Sequence, residues 1–115
     1  KYIKEVADEY GIPIPCFGHA GDGNIHYLPL VEVDNDEAMR VGVEAYEKVV
    51  DHALSVGGTC TGEHGIGVGK QKFMLREHSE ASVEAMQAVK DALDPNGILN
   101  PGKVFPGEET LELLP

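Results

Sequence analysis

Apolar residues fall at helical spacing in three stretches of this chain, with two short strand-like runs and glycine-rich segments between them. Residues 1–10 place Tyr2, Ile3, Val6 and Tyr10 on one helical face, and Gly11 stands where a glycine ends a helix. Pro13 and Pro15 exclude a central strand position, so residues 14–19 and 25–31 are expected as two short strands joined by a glycine turn. Residues 34–55 make the longest predicted helix, with Asp34 as its cap and Glu37 three residues on, in a capping-box arrangement. Its buried stripe is expected at Met39, Val43, Tyr46, Val50 and Leu54; His52 lies off that stripe and reads as a solvated surface histidine. Gly57 and Gly58 end the helix.

A short helix over 70–77 is expected next. A longer one over 80–93 follows, with Val83, Met86, Val89 and Leu93 as its core face. Asp94-Pro95-Asn96-Gly97 is a turn, since proline does not continue the helix and glycine takes positive φ. Residues 98–105 read as irregular and apolar, and the acidic, leucine-rich tail over 108–115 is expected to fray.

Composition narrows the partners. A formal charge of −11 disfavours nucleic acid and anionic membrane surfaces. No apolar run approaches the ~20 residues that span a bilayer, and the amino end is not a signal peptide. Two cysteines without a disulfide-like spacing read as reduced thiols of a cytoplasmic protein. At 115 residues one domain is the ceiling, and a helix that begins at Lys1 reads as a piece of a longer protein.

The candidate chemistry lies in two glycine-rich clusters. In Phe17-Gly18-His19-Ala20-Gly21-Asp22-Gly23-Asn24-Ile25-His26, a hairpin loop over 21–24 would pair Ala20 with Ile25 and set His19 opposite His26. Opposed side chains share a face with Cβ atoms ~4.5–5.5 Å apart. Two such rings reach one ion. The bland alternative is a turn flanked by two surface histidines. The second cluster runs from Gly57 to Lys70 and sets Glu63 and His64 side by side. Its Gly65-Ile66-Gly67-Val68-Gly69-Lys70 is not a phosphate loop, because Gln71 stands where that motif needs Ser or Thr. It follows a helix, whereas a dinucleotide fingerprint follows a strand. His19, His26 and Glu63 together supply two nitrogens and one oxygen, the set of a catalytic metal site with an open position. His64 is then the uncommitted imidazole, suited to be a general base. Asp22 could orient a ligand ring, and Cys60 reads as packing.

These clusters, followed by Leu93-Asp94-Pro95-Asn96-Gly97-Ile98-Leu99-Asn100-Pro101-Gly102-Lys103, resemble in their order the carboxy-terminal domain of FAD-linked oxidases of the vanillyl-alcohol oxidase type. The branch most similar holds the D-lactate and D-2-hydroxyglutarate dehydrogenases and the FAD subunit of glycolate oxidase. The resemblance covers nearly the whole chain. It implies a flavoenzyme that oxidises a D-2-hydroxy acid to the 2-oxo acid. It also implies that His19, His26 and Glu63 hold a divalent metal (zinc, manganese or iron) that binds the substrate. His64 would take the hydroxyl proton while hydride passes to FAD, and Asn100 would be a cofactor contact. In that family a flavin-binding domain precedes this region. Neither that domain nor the arginines expected to grip the substrate carboxylate are in these residues, so alone they should bind little FAD and not turn over.

The expectation is therefore an α+β fold, a small antiparallel sheet with helices packed on one face, within a larger cap domain that residues 1–115 represent in part. Its partners would be a small 2-hydroxy acid and either a second copy or other oxidase subunits. Two rival readings stand beside it: a stand-alone metal-dependent hydrolase using the same three ligands and His64, and a non-catalytic domain that associates with itself through surface left bare by truncation.

Overall fold

The computed structural model describes residues 1–107; the tail expected to fray lies outside the described residues. Among the described residues, four α-helices and one two-stranded antiparallel sheet make an α+β fold. The chain divides into two compact units, the first Lys1–Glu63 and the second beginning at His64.

In the first unit, α1 (Tyr2–Tyr10) leads into β1 (Cys16–His19), a 3-10 turn (Ala20–Asp22), β2 (Asn24–Tyr27) and α2 (Asp36–Ser55). Gly11 ends α1 at φ 65°, its N–H donating to the Ala7 carbonyl, as the sequence required. The cap of α2 is Asn35, whose side chain accepts from the Ala38 N–H, and not Asp34. Asn35 sits one residue before the first helical residue, where a side-chain oxygen meets an orphan N–H.

The stripe of α2 agrees with expectation in part: Val50 is buried and Tyr46 and Leu54 are half-buried. Gly42, Ala45, Val49 and Val50 are buried, whereas Met39 and Val43 are 40% and 45% exposed. At Gly42 the Val31 side chain lies 3.1 Å from where a Cβ would sit, and a count of large apolar side chains misses such a position. Val6, Ile14, Ala45 and Val49 form the core here, with Tyr2, Ile3, Tyr10 and Tyr27 packed around it. His52 is half-buried, with its ring stacked on Tyr2 at 3.7 Å between centroids.

The hairpin register is Cys16↔Tyr27, Phe17↔His26, Gly18↔Ile25 and His19↔Asn24. The expected pairing of His19 with His26 is thus displaced by two residues. Ala20–Asp22 coil into the 3-10 turn and Gly23 takes φ 71°, which closes the ladder earlier than a loop over 21–24 would. A displacement of two keeps every side chain on its face, because strand residues alternate. His19 and His26 therefore still share a face, as diagonal neighbours and not as an opposed pair. The strands are shorter than expected, but Leu28 and Leu30 N–H groups donate to the Pro15 and Pro13 carbonyls and carry the ladder on as single bonds.

In the second unit a 3-10 turn (Gln71–Phe73) runs into α3 (Met74–Glu77), then α4 (Glu80–Leu93). Phe73 and Met74 are buried. Ser79 caps α4 by accepting from the Ser82 N–H. Of the face expected in the core only Val83 is buried; Met86, Val89 and Leu93 are 39%, 60% and 78% exposed. Regular spacing therefore identified the helix but not what its face meets. The turn after α4 forms as read, with Gly97 at φ 62° and its N–H donating to the Asp94 carbonyl.

Candidate metal centre

Three donor groups converge in the first unit. One ligand atom from each of His19, His26 and Glu63 can be chosen so that all lie within 4.8 Å of one another. His26 Nε2 is 2.8 Å from Glu63 Oε1, and His19 Nε2 is 3.7 Å from Glu63 Oε2. The two imidazoles meet edge to face, 5.8 Å between centroids at 79°.

Each donor is positioned by a local feature. His19 is the last residue of β1, where the 3-10 turn begins, and its side chain is 58% exposed. His26 is more enclosed, at 22%, because Phe17 stands opposite it in the ladder and stacks on its ring at 5.2 Å. Phe17 thereby restricts the rotation of the more buried imidazole.

Two glycines make the arrangement possible. At Gly18, φ 155° and an Asn24 carbonyl oxygen 2.3 Å from where a Cβ would sit leave no room for a side chain between the histidine-bearing strands. At Gly62, a Cβ would fall 2.1 Å from Asn24 Oδ1. The segment that carries Glu63 thus lies with its bare backbone against the side chain of a hairpin residue, which brings the carboxylate to the imidazoles.

Of the other residues singled out from sequence, Cys60 is buried, as its packing role required. Asp22 is exposed in the 3-10 turn and hydrogen-bonds neither ring. His64 and Asn100 belong to the second unit. Asn100 is exposed, with left-handed backbone at φ 47°.

Its approach is held by Asp94, a buried carboxylate that accepts from the Ile98 N–H (3.1 Å) and the Leu99 N–H (2.9 Å) and pairs with Lys90. The Lys90 ammonium and those backbone donors hold the Asp94 carboxyl below its usual range. Lys90 also donates to the Leu99 carbonyl at 2.9 Å. Sequence reading took Asp94 only as a turn residue. The signal for more was Asp at the head of Asp-Pro-Asn-Gly, where its side chain is free to bond backbone further on.

The model of the family described as "FAD linked oxidases, C-terminal domain" matches residues 1–104. The glycolate oxidase subunit GlcD of Bacillus subtilis is 41% identical over 105 residues, covering 91% of this chain and 22% of that protein. The mitochondrial D-lactate dehydrogenase [cytochrome] of Arabidopsis thaliana is 39% identical over 103 residues, 90% of this chain and 18% of that protein. The D-lactate dehydrogenase of Archaeoglobus fulgidus is 43% identical over 100 residues, 87% of this chain and 22% of that protein. The chain spans about a fifth of the length of the curated relatives it matches. With its three motifs in order, and a family match over nearly its whole length, the chain belongs to the FAD-linked oxidases, in their C-terminal domain.

Proposed function

We propose that this chain supplies the metal-holding and proton-accepting part of an FAD-dependent enzyme that oxidises a small D-2-hydroxy acid to the 2-oxo acid. On this reading residues 1–115 are a piece of the C-terminal domain, and the flavin is bound mainly by another part of the enzyme. The observation that carries the reading is the convergence of His19, His26 and Glu63 on one point. Two imidazoles and one carboxylate suit zinc, manganese or iron, and they leave coordination positions for a ligand. Donors each ~2.0–2.2 Å from one metal are at most about twice that distance apart. Here His26 Nε2 stands 2.8 Å from Glu63 Oε1 and His19 Nε2 3.7 Å from Glu63 Oε2, and the three donors lie within 4.8 Å of one another.

When bound, a divalent metal lowers the pKa of an alcohol near it. This chain's own contribution is then twofold. The His-His-Glu set orients the hydroxy acid. His64, the residue after Glu63, accepts the hydroxyl proton as C2 gives up its hydride. For FAD the described residues offer one candidate contact, the exposed Asn100, and no step is derived through it. The reading places the enzyme in the cytoplasm, where Cys16, exposed, and Cys60, buried, would stay reduced. No helix among the described residues is long and apolar enough to cross a membrane. Assembly with a second copy or with other oxidase subunits is part of the same proposal.

The test compares the neighbours Glu63 and His64 in the flavin-loaded enzyme. His64→Asn is expected to keep metal and flavin and to slow flavin reduction by ~10²–10⁴, the contribution of a positioned base. Glu63→Gln is expected to lose metal and to raise the apparent substrate constant as well. Stopped-flow reduction with elemental analysis separates them. Metal lost from His64→Asn and kept by Glu63→Gln would show the two roles to be exchanged.

A further inference from the structure

Gln71 is a buried polar residue whose side chain reaches far along the chain. Its Nε2 donates to two backbone carbonyls, Gly102 at 3.0 Å and Phe105 at 2.9 Å. Two acceptors facing one end of the amide fix which end is nitrogen, since the oxygen would repel both. Both protons of the amide group are thus spent on one short segment.

That segment is strained. Between the two clamped carbonyls lies Val104 at φ 70°, a region that β-branched residues avoid. The Phe105 N–H donates back to the Lys103 carbonyl at 2.9 Å, closing a three-residue turn of the rare, positive-φ kind. Such a conformation persists only where its surroundings over-determine it. Here they do. The Val104 N–H donates to the Gly67 carbonyl at 2.7 Å, and the Gln71 backbone N–H donates to the Val68 carbonyl at 3.3 Å. The side chain of Gln71 therefore grips residues 102–105 while its backbone hangs on the glycine-rich loop.

The two pieces that it joins are the ones that matter on the proposed reading. Gly67 is three residues beyond His64, in a loop rich in glycine and short of side chains to hold it. Asn100 stands between Leu99, tied to Asp94 and Lys90, and Gly102, tied to Gln71. We propose that Gln71 is a positioning residue: by holding the 102–105 turn on the glycine-rich loop it fixes the backbone that presents His64 and Asn100. This rests on the assignment of His64 as proton acceptor.

The experiment uses the flavin-loaded enzyme and Gln71→Met, which keeps length and bulk and removes both donors. Flavin and metal contents are expected to stay, and the KM for the hydroxy acid is expected to change little. Flavin reduction should slow by ~10²-fold, the cost of a base misplaced by about an ångström. In a His64→Asn background the same change should cost nothing more, because there is no base left to misplace. Hydrogen exchange of the Val104 amide should accelerate in Gln71→Met with either residue at position 64.

Gln71→Glu is the second variant. It preserves polarity, turns an oxygen toward both carbonyls, and should reproduce the effect if the methionine variant does not fold. Equal slowing in both backgrounds, or an unchanged Val104 amide, overturns the positioning role. A full rate in His64→Asn alone overturns the base assignment instead, so the two failures are told apart.

Discussion

Glu63 and His64 are joined by one peptide bond, yet they are supported in different ways. Glu63 closes the first unit, where its imidazole partners ride on a hydrogen-bonded ladder and a stacked Phe17. His64 opens the second, where irregular backbone is held by side chains reaching across sequence: Gln71 to Gly102 and Phe105, Asp94 to Ile98 and Leu99. A ladder sets side-chain direction by parity, so a shift of two residues left both histidines on one face. A clamp has no such tolerance, because its geometry depends on one amide or one carboxylate. The lesson is that the direction of the two imidazoles is set by strand pairing, whereas loop geometry should fail at single side chains.

The largest effect is expected from Phe73→Ala, which empties the most buried large side chain of the second unit. A loss of ~3–5 kcal/mol is expected for a buried phenylalanine. Hydrogen exchange should place it in α3, α4 and residues 98–105; equal loss of protection in α1 and α2 would break the distinction between the units. Next comes Gly18→Ala, which forces a Cβ onto the Asn24 carbonyl. Overpacking of this kind costs ~1–3 kcal/mol. Metal titration should show weakened binding, since the strands carrying both histidines must separate. Undiminished affinity would mean that the ladder does not set the ligands.

The smallest effect is expected from Asp94→Asn, and it is pH-dependent. The carboxyl of Asp94 is lowered in the folded chain, so its contribution is present above the unfolded value near ~3.9 and is lost as pH falls through the lowered one. At pH 7 the variant should melt lower than the parent. Under strongly acid conditions, with the carboxyl protonated in both states, the difference should disappear. A gap that persists there would assign Asp94 a role independent of its charge.

Much of the fold was legible because it rests on local rules. Gly11, Gly57 and Gly97 end helices or make turns wherever a backbone needs positive φ, and that need is written in the glycine itself. The His-His-Glu set was legible as residue types, and strand parity rescued it from a wrong register. What was not legible depends on contacts distant in sequence. Gln71 served only to reject a phosphate loop, since nothing local announces two carbonyls 31 and 34 residues away. The stripe of α2 was misplaced at Met39 and Val43, because Gly42 and Ala45 bury little of their own and owe their position to neighbours. The stack of Tyr2 on His52 is likewise a meeting of two helices that neither announces alone.

The apolar side chains left on the surface have a colloidal consequence. Phe17, Ile25, Leu28, Leu30 and Val33 are all more than half exposed along the hairpin and the loop after it. At neutral pH, 20 acidic against 9 basic residues give copies of the chain a strong mutual repulsion that keeps such patches apart. That repulsion vanishes near the isoelectric point, about 4.7, while the patches remain. Turbidity of a concentrated solution should therefore peak near that pH and clear again on the alkaline side, and salt added at neutral pH should move it toward the same cloudiness by screening the charge.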